Sequence, residues 1–268
     1  MLKYKILFFL ILTRIFADEC TLHMAYKTIN KPPYVFENNK GIYIDLFKKA
    51  AEDIGCTLTL TREPKQRIIE DLKSGKIDIY PAFGITKERL EFVHHLKTYI
   101  PHYQVLITKN NIPDITDLKQ LKELNLTSVV EKMGFSYLKG LCNNEYETSK
   151  LNTNKAILLI LNKRADVIIS PLLVARYYIN KYHYKNLKIH YNLFKDKTEN
   201  HLFGFSKKSK YIKEIPNPNF DKSKKITINN YPFLLDKKCT AYKLQAALKR
   251  LKQNGYIKYL FEKYAGNE

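Results

Sequence analysis

The stretch "IYIDLFKKAAEDIGCTLTLTREPKQRIIEDLKSGKIDIYPAF", residues 42 to 83, switches between helical and strand-like patterning three times. Ile44, Phe47, Ala51 and Ile54 recur at helical spacing, and Gly55 stands where such a helix stops. "CTLTLTRE" reads as a strand. "PKQRIIEDLKSGK" returns to helix, with Pro64 near its first turn and Gly75 at its end, and "IDIYPAF" is a short apolar strand. "TLHMAYK" (21–27) supplies a first strand ahead of the stretch. Three strands joined by two helices make two right-handed crossover units, so the chain is expected to be α/β with parallel sheet.

The same phrase returns downstream. "AILLILNKRADVIISPLLVARYYI" (156–179) again runs helix, basic turn, an aspartate (Asp166), short apolar strand and helix. The likeness of "LKSGKIDIYPAFG" to "LNKRADVIISPLL" predicts two lobes of similar build. "LNLTSVVEKMGFSYLKGL" (124–141) opens the second lobe as strand, loop and helix. "YIPHYQVLITKNNIPDITDLKQL" leads out of the first lobe, "HLFGFSKKSK" leads back, and the chain ends in an amphipathic helical region, 241–266. The expected division is 18–104 with 200–268 for lobe 1, and 105–199 for lobe 2.

With 268 residues, 45% of them hydrophobic, the chain has ample material for real cores. Lys3 and Lys5 precede the apolar run ILFFLIL and Ala17 offers a small residue for cleavage, so residues 1–17 read as a secretory signal peptide. The run is far short of the ~20 residues a membrane span requires. Asp18 and Glu19 stand where a lipoprotein would carry small residues before Cys20. In an exported protein the four cysteines favour disulfides, and their spacing matches no zinc pattern. No metal and no cofactor are expected. The net charge is +20, yet the lysines are scattered along the whole chain, which argues against a nucleic-acid partner. Lysine, asparagine, isoleucine and tyrosine are abundant together, as an AT-rich coding sequence produces without functional cause. Attraction to an anionic membrane surface or an acidic ligand is compatible with the charge. The seven histidines form no motif with one another or with a cysteine, and packing or surface roles are expected of them.

"PPYVFENNKGIYIDLFKKAAEDIG", "LKSGKID", "GITKERLEFV" and "YIPHY", in that order and spacing, resemble the bacterial extracellular solute-binding proteins of family three, which include the periplasmic amino-acid-binding proteins of ABC importers. The resemblance covers essentially the whole mature chain and weakens from about residue 190. It implies a type II periplasmic binding protein fold: two α/β lobes with parallel-type sheets, joined by two crossover strands, gripping a ligand in the cleft. It implies a periplasmic, non-enzymatic monomer that delivers a small carboxylate-bearing solute to an ABC permease. Sensor domains and cyclohexadienyl dehydratases share the fold and stand as alternatives. Arg89 occupies the position whose guanidinium clasps the ligand carboxylate, a match of planar fork to carboxylate that holds at any relevant pH. Ala82 and Gly84 would let a ligand approach the backbone. Tyr34, held in a stiff turn, would cover the ligand with its ring. Asp45 is expected to fix the first helix. Gly134, Phe135 and Ser136 would open a helix whose positive end faces an anion. Ser170 or Pro171 falls where amino-acid binders place the acid that holds the α-amino group. Without it, either Glu37 or Glu131 takes that role or the ligand lacks the amine. In this fold Cys20 and Cys56 lie at the starts of neighbouring strands and are expected to be bonded, with Cys142 and Cys239 left apart. Residues 214–236 read equally as a loop over the cleft or as a peripheral insertion.

Overall fold

A computed structural model of the chain describes residues 19–131, 138–148, 152–197 and 199–266. The expected signal peptide lies outside them. The first sheet is built from β1 (Thr21–Lys27), β2 (Thr57–Glu63), β3 (Ile79–Pro81), β4 (Val93–His102) and β10 (Glu199–Ser206), in the order β2-β1-β3-β10-β4. The second is built from β5 (Gln104–Lys109), β6 (Thr127–Glu131), β7 (Asn144–Thr148), β8 (Val167–Pro171) and β9 (Leu187–His190), in the order β7-β6-β8-β5-β9.

Each sheet is parallel at its heart. β1 runs parallel to β2 and β3, and β6 parallel to β7 and β8, as crossover helices require. The sheets as wholes are mixed rather than parallel throughout. β10 joins the first antiparallel to β3 and β4, and β5 joins the second antiparallel to β8 and β9. The reason is the connection itself: β4 and β5 are separated by Tyr103 alone, and β10 returns alongside β4, pairing Glu199 with His102. Strands that arrive from the other sheet enter against the local direction.

The repeated aspartates do the same work in both sheets. Asp78 Oδ2 accepts the His23 N–H at 2.8 Å while the Asp78 N–H is bonded to the His23 carbonyl. Asp166 Oδ2 accepts the Thr127 N–H at 2.9 Å while the Asp166 N–H is bonded to the Thr127 carbonyl. Each carboxylate satisfies a strand donor that the ladder alone would leave open.

The helices α1 (Ile42–Glu52), α2 (Lys65–Ser74), α6 (Thr240–Gln253) and α7 (Tyr256–Ala265) accompany the first sheet. Its core includes Leu22, Met24, Phe47, Phe203, Leu244 and Leu248, all essentially inaccessible. Helix α2 stops at Gly75, whose φ of 83° is costly for any residue with a Cβ. Asp45 on α1 accepts from Lys263 Nζ at 2.7 Å and Tyr264 Oη at 2.6 Å, tying α1 to α7. The short α3 (Gln120–Glu123), α4 (Thr153–Leu161) and α5 (Leu172–Tyr182) accompany the second sheet, and the Asn152 side chain caps α4. Helix α5 also reaches across to α7. Leu173 sits in the core of the first sheet, Asn180 Nδ2 donates to the Ala265 carbonyl at 2.6 Å, and Arg176 Nη2 donates to the Gly266 carbonyl.

Cys20 and Cys56 form a disulfide with Cα atoms 4.5 Å apart, while Cys142 is buried and Cys239 half-buried, both as free thiols. Residues 214–236 contain a hairpin of β11 (Glu214–Pro216) and β12 (Phe233–Leu235). Tyr231 roots it in the first sheet: its hydroxyl accepts the His95 N–H at 3.1 Å. His94 Nδ1 is 2.6 Å from Glu214 Oε1, and Lys207 reaches the other carboxylate oxygen at 3.2 Å.

Candidate functional site

A groove of about 730 Å³ opens at the end of β3. After Pro81 the chain turns at Ala82, whose φ of 55° is unusual for a residue with a side chain. That turn drives Phe83 into the core at 1% exposure and leaves Ala82 and Gly84 open on the groove wall. The floor comes from Leu202, His201 and His102 where the connecting strands meet. The far wall is Lys225 to Asn229, from the segment that sequence reasoning could not place. Lys97 Nζ donates to Asn229 Oδ1 at 3.0 Å and holds that wall to β4.

A smaller cavity of about 160 Å³ shares His102 with the groove and lies between the sheets. It is lined by Tyr34 and Phe261 on one side, by Pro171, Leu172 and Arg176 on the other, and by Tyr103 at the crossing. Groove and cavity both border the two connections, the cavity at Pro101 to Tyr103 and the groove at His102 and Asn200 to Leu202.

Arg89 begins a short 3-10 turn and is half-buried. Its guanidinium lies 4.1 Å from the centroid of the Phe83 ring, and Nη1 donates to the Gly84 carbonyl at 2.9 Å. Among the described residues it has no carboxylate partner: Glu88 is instead 3.9 Å from Lys73. Arg89 is not part of the groove's lining. It stands behind Gly84, which is. His95 Nε2 lies 3.2 Å from the same Gly84 carbonyl, and burial lowers its pKa to about 4, so the ring is neutral and donates there.

Tyr34, expected to cover a ligand with its ring, lines the small cavity. It is only 2% exposed, with the Tyr43 ring stacked on it at 5.0 Å and His201 at 5.1 Å. Burial pushes its phenol pKa well up. The rings bury more apolar area against one another than an exposed position would allow. His201 is bonded to the Tyr43 hydroxyl and lies 4.5 Å from the His102 ring. Burial first, then His102 and Lys31, lower its pKa to about 3.

In the second sheet Ser170 faces inward. It is 1% exposed, and its Oγ lies 3.1 Å from Thr153 Oγ1, so Pro171 and Leu172 meet the cavity in its place. By strand alternation Ser170 falls on the buried face of β8. Glu37 and Glu131 line neither groove nor cavity. Gly134, Phe135 and Ser136 lie outside the described residues. No group of three or more His, Cys, Asp or Glu able to hold a metal occurs among the described residues, nor is any helix there long and apolar enough to cross a membrane. Lys97, Lys225 and Asn229 were missed in the sequence, and the +20 charge gave no sign of which lysines converge.

A family model described as bacterial extracellular solute-binding proteins, family 3, matches residues 24–267. Among curated proteins, the virulence sensor protein BvgS of Bordetella pertussis is 23% identical over 128 residues, 46% of this chain. The match spans about a tenth of that relative's length, 10%. Among solved structures, the unliganded, open L-cystine solute receptor of Neisseria gonorrhoeae superposes with a TM-score of 0.69 at 17% identity, covering 93% of this chain and 94% of the receptor. The second substrate-binding domain of a putative amino acid ABC transporter from Streptococcus pneumoniae gives 0.65 at 16% identity, covering 91% and 99%. The fold is that of type II periplasmic binding proteins.

Proposed function

The chain belongs to the bacterial extracellular solute-binding proteins of family 3, and from that premise we propose that it captures a small carboxylate-bearing solute between two lobes, outside the cytoplasmic membrane, for an ABC-type importer. The lobes are 18–104 with 200–268, and 105–199. Residues 1–17 direct export to the periplasm and are removed.

One observation carries the reading: a groove and a smaller cavity border the two inter-sheet connections, with the turn Ala82 to Gly84 on the groove wall and Arg89 behind it. Arg89 spends one of its five N–H donors on Gly84, and the others are suited to a carboxylate. The solute docks first on this face. Rotation about β4–β5 and β10 then closes the second lobe over it, and a permease reads the closed shape. The protein works as a monomer and makes or breaks no bond. A dehydratase on this fold would require a general acid in the cleft.

The test is thermal shift against amino acids, dicarboxylates, opines, short peptides and prephenate, repeated with Arg89→Ala. A ligand at about a hundred times its Kd stabilises the fold by roughly 2.7 kcal/mol. A hit that disappears in the variant is expected. A hit indifferent to Arg89 would remove that residue from the site.

The likeness to a virulence sensor favours a second reading, a binding protein that reports its ligand to a membrane receptor. Deleting the protein would then leave uptake of the solute unchanged, whereas the importer reading expects uptake to fall.

A further inference from the structure

The charge lining the groove is one-sided. Lys31 comes from the loop before α1, Lys97 from β4 and Lys225 from the segment between β11 and β12, so three separate parts of the chain place a lysine on one groove. Among the described residues that line it, none is acidic. The polar groups between the lysines, Asn200, Thr227 and Asn229, are neutral. His201 on the floor is neutral as well, and is committed to Tyr43. Arg89 stands just behind Gly84, also without a carboxylate partner among the described residues.

A zwitterionic amino acid fits this lining poorly. Its ammonium would enter beside three cations and meet no carboxylate, and an ammonium stripped of water without a counter-charge is strongly disfavoured. An anion with two or three carboxylates has the opposite balance, each carboxylate finding a lysine. Among the described residues Lys31 has no carboxylate partner, and desolvation, then repulsion from Lys27, lowers its pKa below the usual value. A bound anion would reverse that. The groove's 730 Å³ accommodates a branched tricarboxylate.

We propose that the solute is a di- or tricarboxylate without an α-amino group, held by Lys31, Lys97 and Lys225 across the groove. This rests on the solute-binding reading above and specifies its ligand class.

The experiment is calorimetric titration of the purified protein with succinate, 2-oxoglutarate and citrate, against propionate, glutamine and arginine, at two salt concentrations. Binding is expected to strengthen with the number of carboxylates and to weaken with salt. Lys225→Gln and Lys97→Gln should each loosen it about tenfold, with circular dichroism checking the fold. Lys225 lies on an exposed loop, so its variant separates ligand contact from folding. Binding of glutamine or arginine with none of the polycarboxylates would overturn this inference and leave the solute-binding reading standing. Polycarboxylate binding indifferent to both lysine variants would overturn it too. Failure of every carboxylate tested would take down both.

Discussion

His95 shows how a single side chain couples the groove to the core. It is inaccessible, stacks near Phe83, receives support from Tyr231 and meets the Gly84 carbonyl on the groove wall. Its ordinary pKa of 6.5 drops to about 4 in the fold, so below pH 6.5 the unfolded chain takes up a proton that the folded chain refuses. Stability should therefore be flat above about pH 6.5 and fall as pH drops towards 4, by up to roughly 1.4 kcal/mol per pH unit from this residue. His201, lowered to about 3, acts in the same direction. Urea unfolding at pH 7, 6 and 5 measures the slope. His95→Gln, which can still donate to Gly84, should make it shallower, and an unchanged slope in that variant would reassign the effect. At this scale the sequence was only partly legible. The small residues Ala82 and Gly84 ahead of Arg89 were visible as a turn, but the inward placement of Tyr34 and Ser170 was not, because both are decided by what packs against them.

Among the elements, β1 and β2 illustrate a join made twice, by ladder and by disulfide. Cys20 and Cys56 stand just before the paired residues Thr21 and Thr57, and the bond closes a loop of 36 residues. Its main effect is to restrict the unfolded chain, so reduction should lower stability by roughly 2–4 kcal/mol without altering the sheet. Denaturation with and without a thiol reductant reads this, and the Cys20→Ser, Cys56→Ser double variant should match the reduced protein. The α/β succession was legible here because each helix and strand writes its period into adjacent residues. The repeated aspartate was visible as a motif, but its task, bridging to the neighbouring parallel strand, needed the sheet. The C-terminal helical region proved to be two helices, α6 and α7, parted by Gly255 at φ 83°.

For the whole molecule the decisive contact is α5 against α7. Leu173, Arg176 and Asn180 belong to the second sheet by sequence and to the first by packing. This interface is expected to make the two sheets unfold together. Leu173→Ala removes a buried side chain and should cost about 2–5 kcal/mol. Combined with Arg176→Ala it should split one calorimetric transition into two, which comparison of calorimetric and van't Hoff enthalpies detects. A single sharp transition in the double variant would place the coupling in the connecting strands instead.

By itself, the sequence determined the alternation of helix and strand, the two-fold repeat, the arginine loop and the family resemblance, all of which are carried by runs of neighbouring residues. Tertiary structure alone decided what faces the groove. Lys97 meets Asn229 and His95 meets Tyr231 across separations of 132 and 136 residues. No local period encodes such distances. They follow from how a hairpin of little intrinsic pattern docks on a sheet edge, and that docking is what gathers scattered lysines into one charged wall.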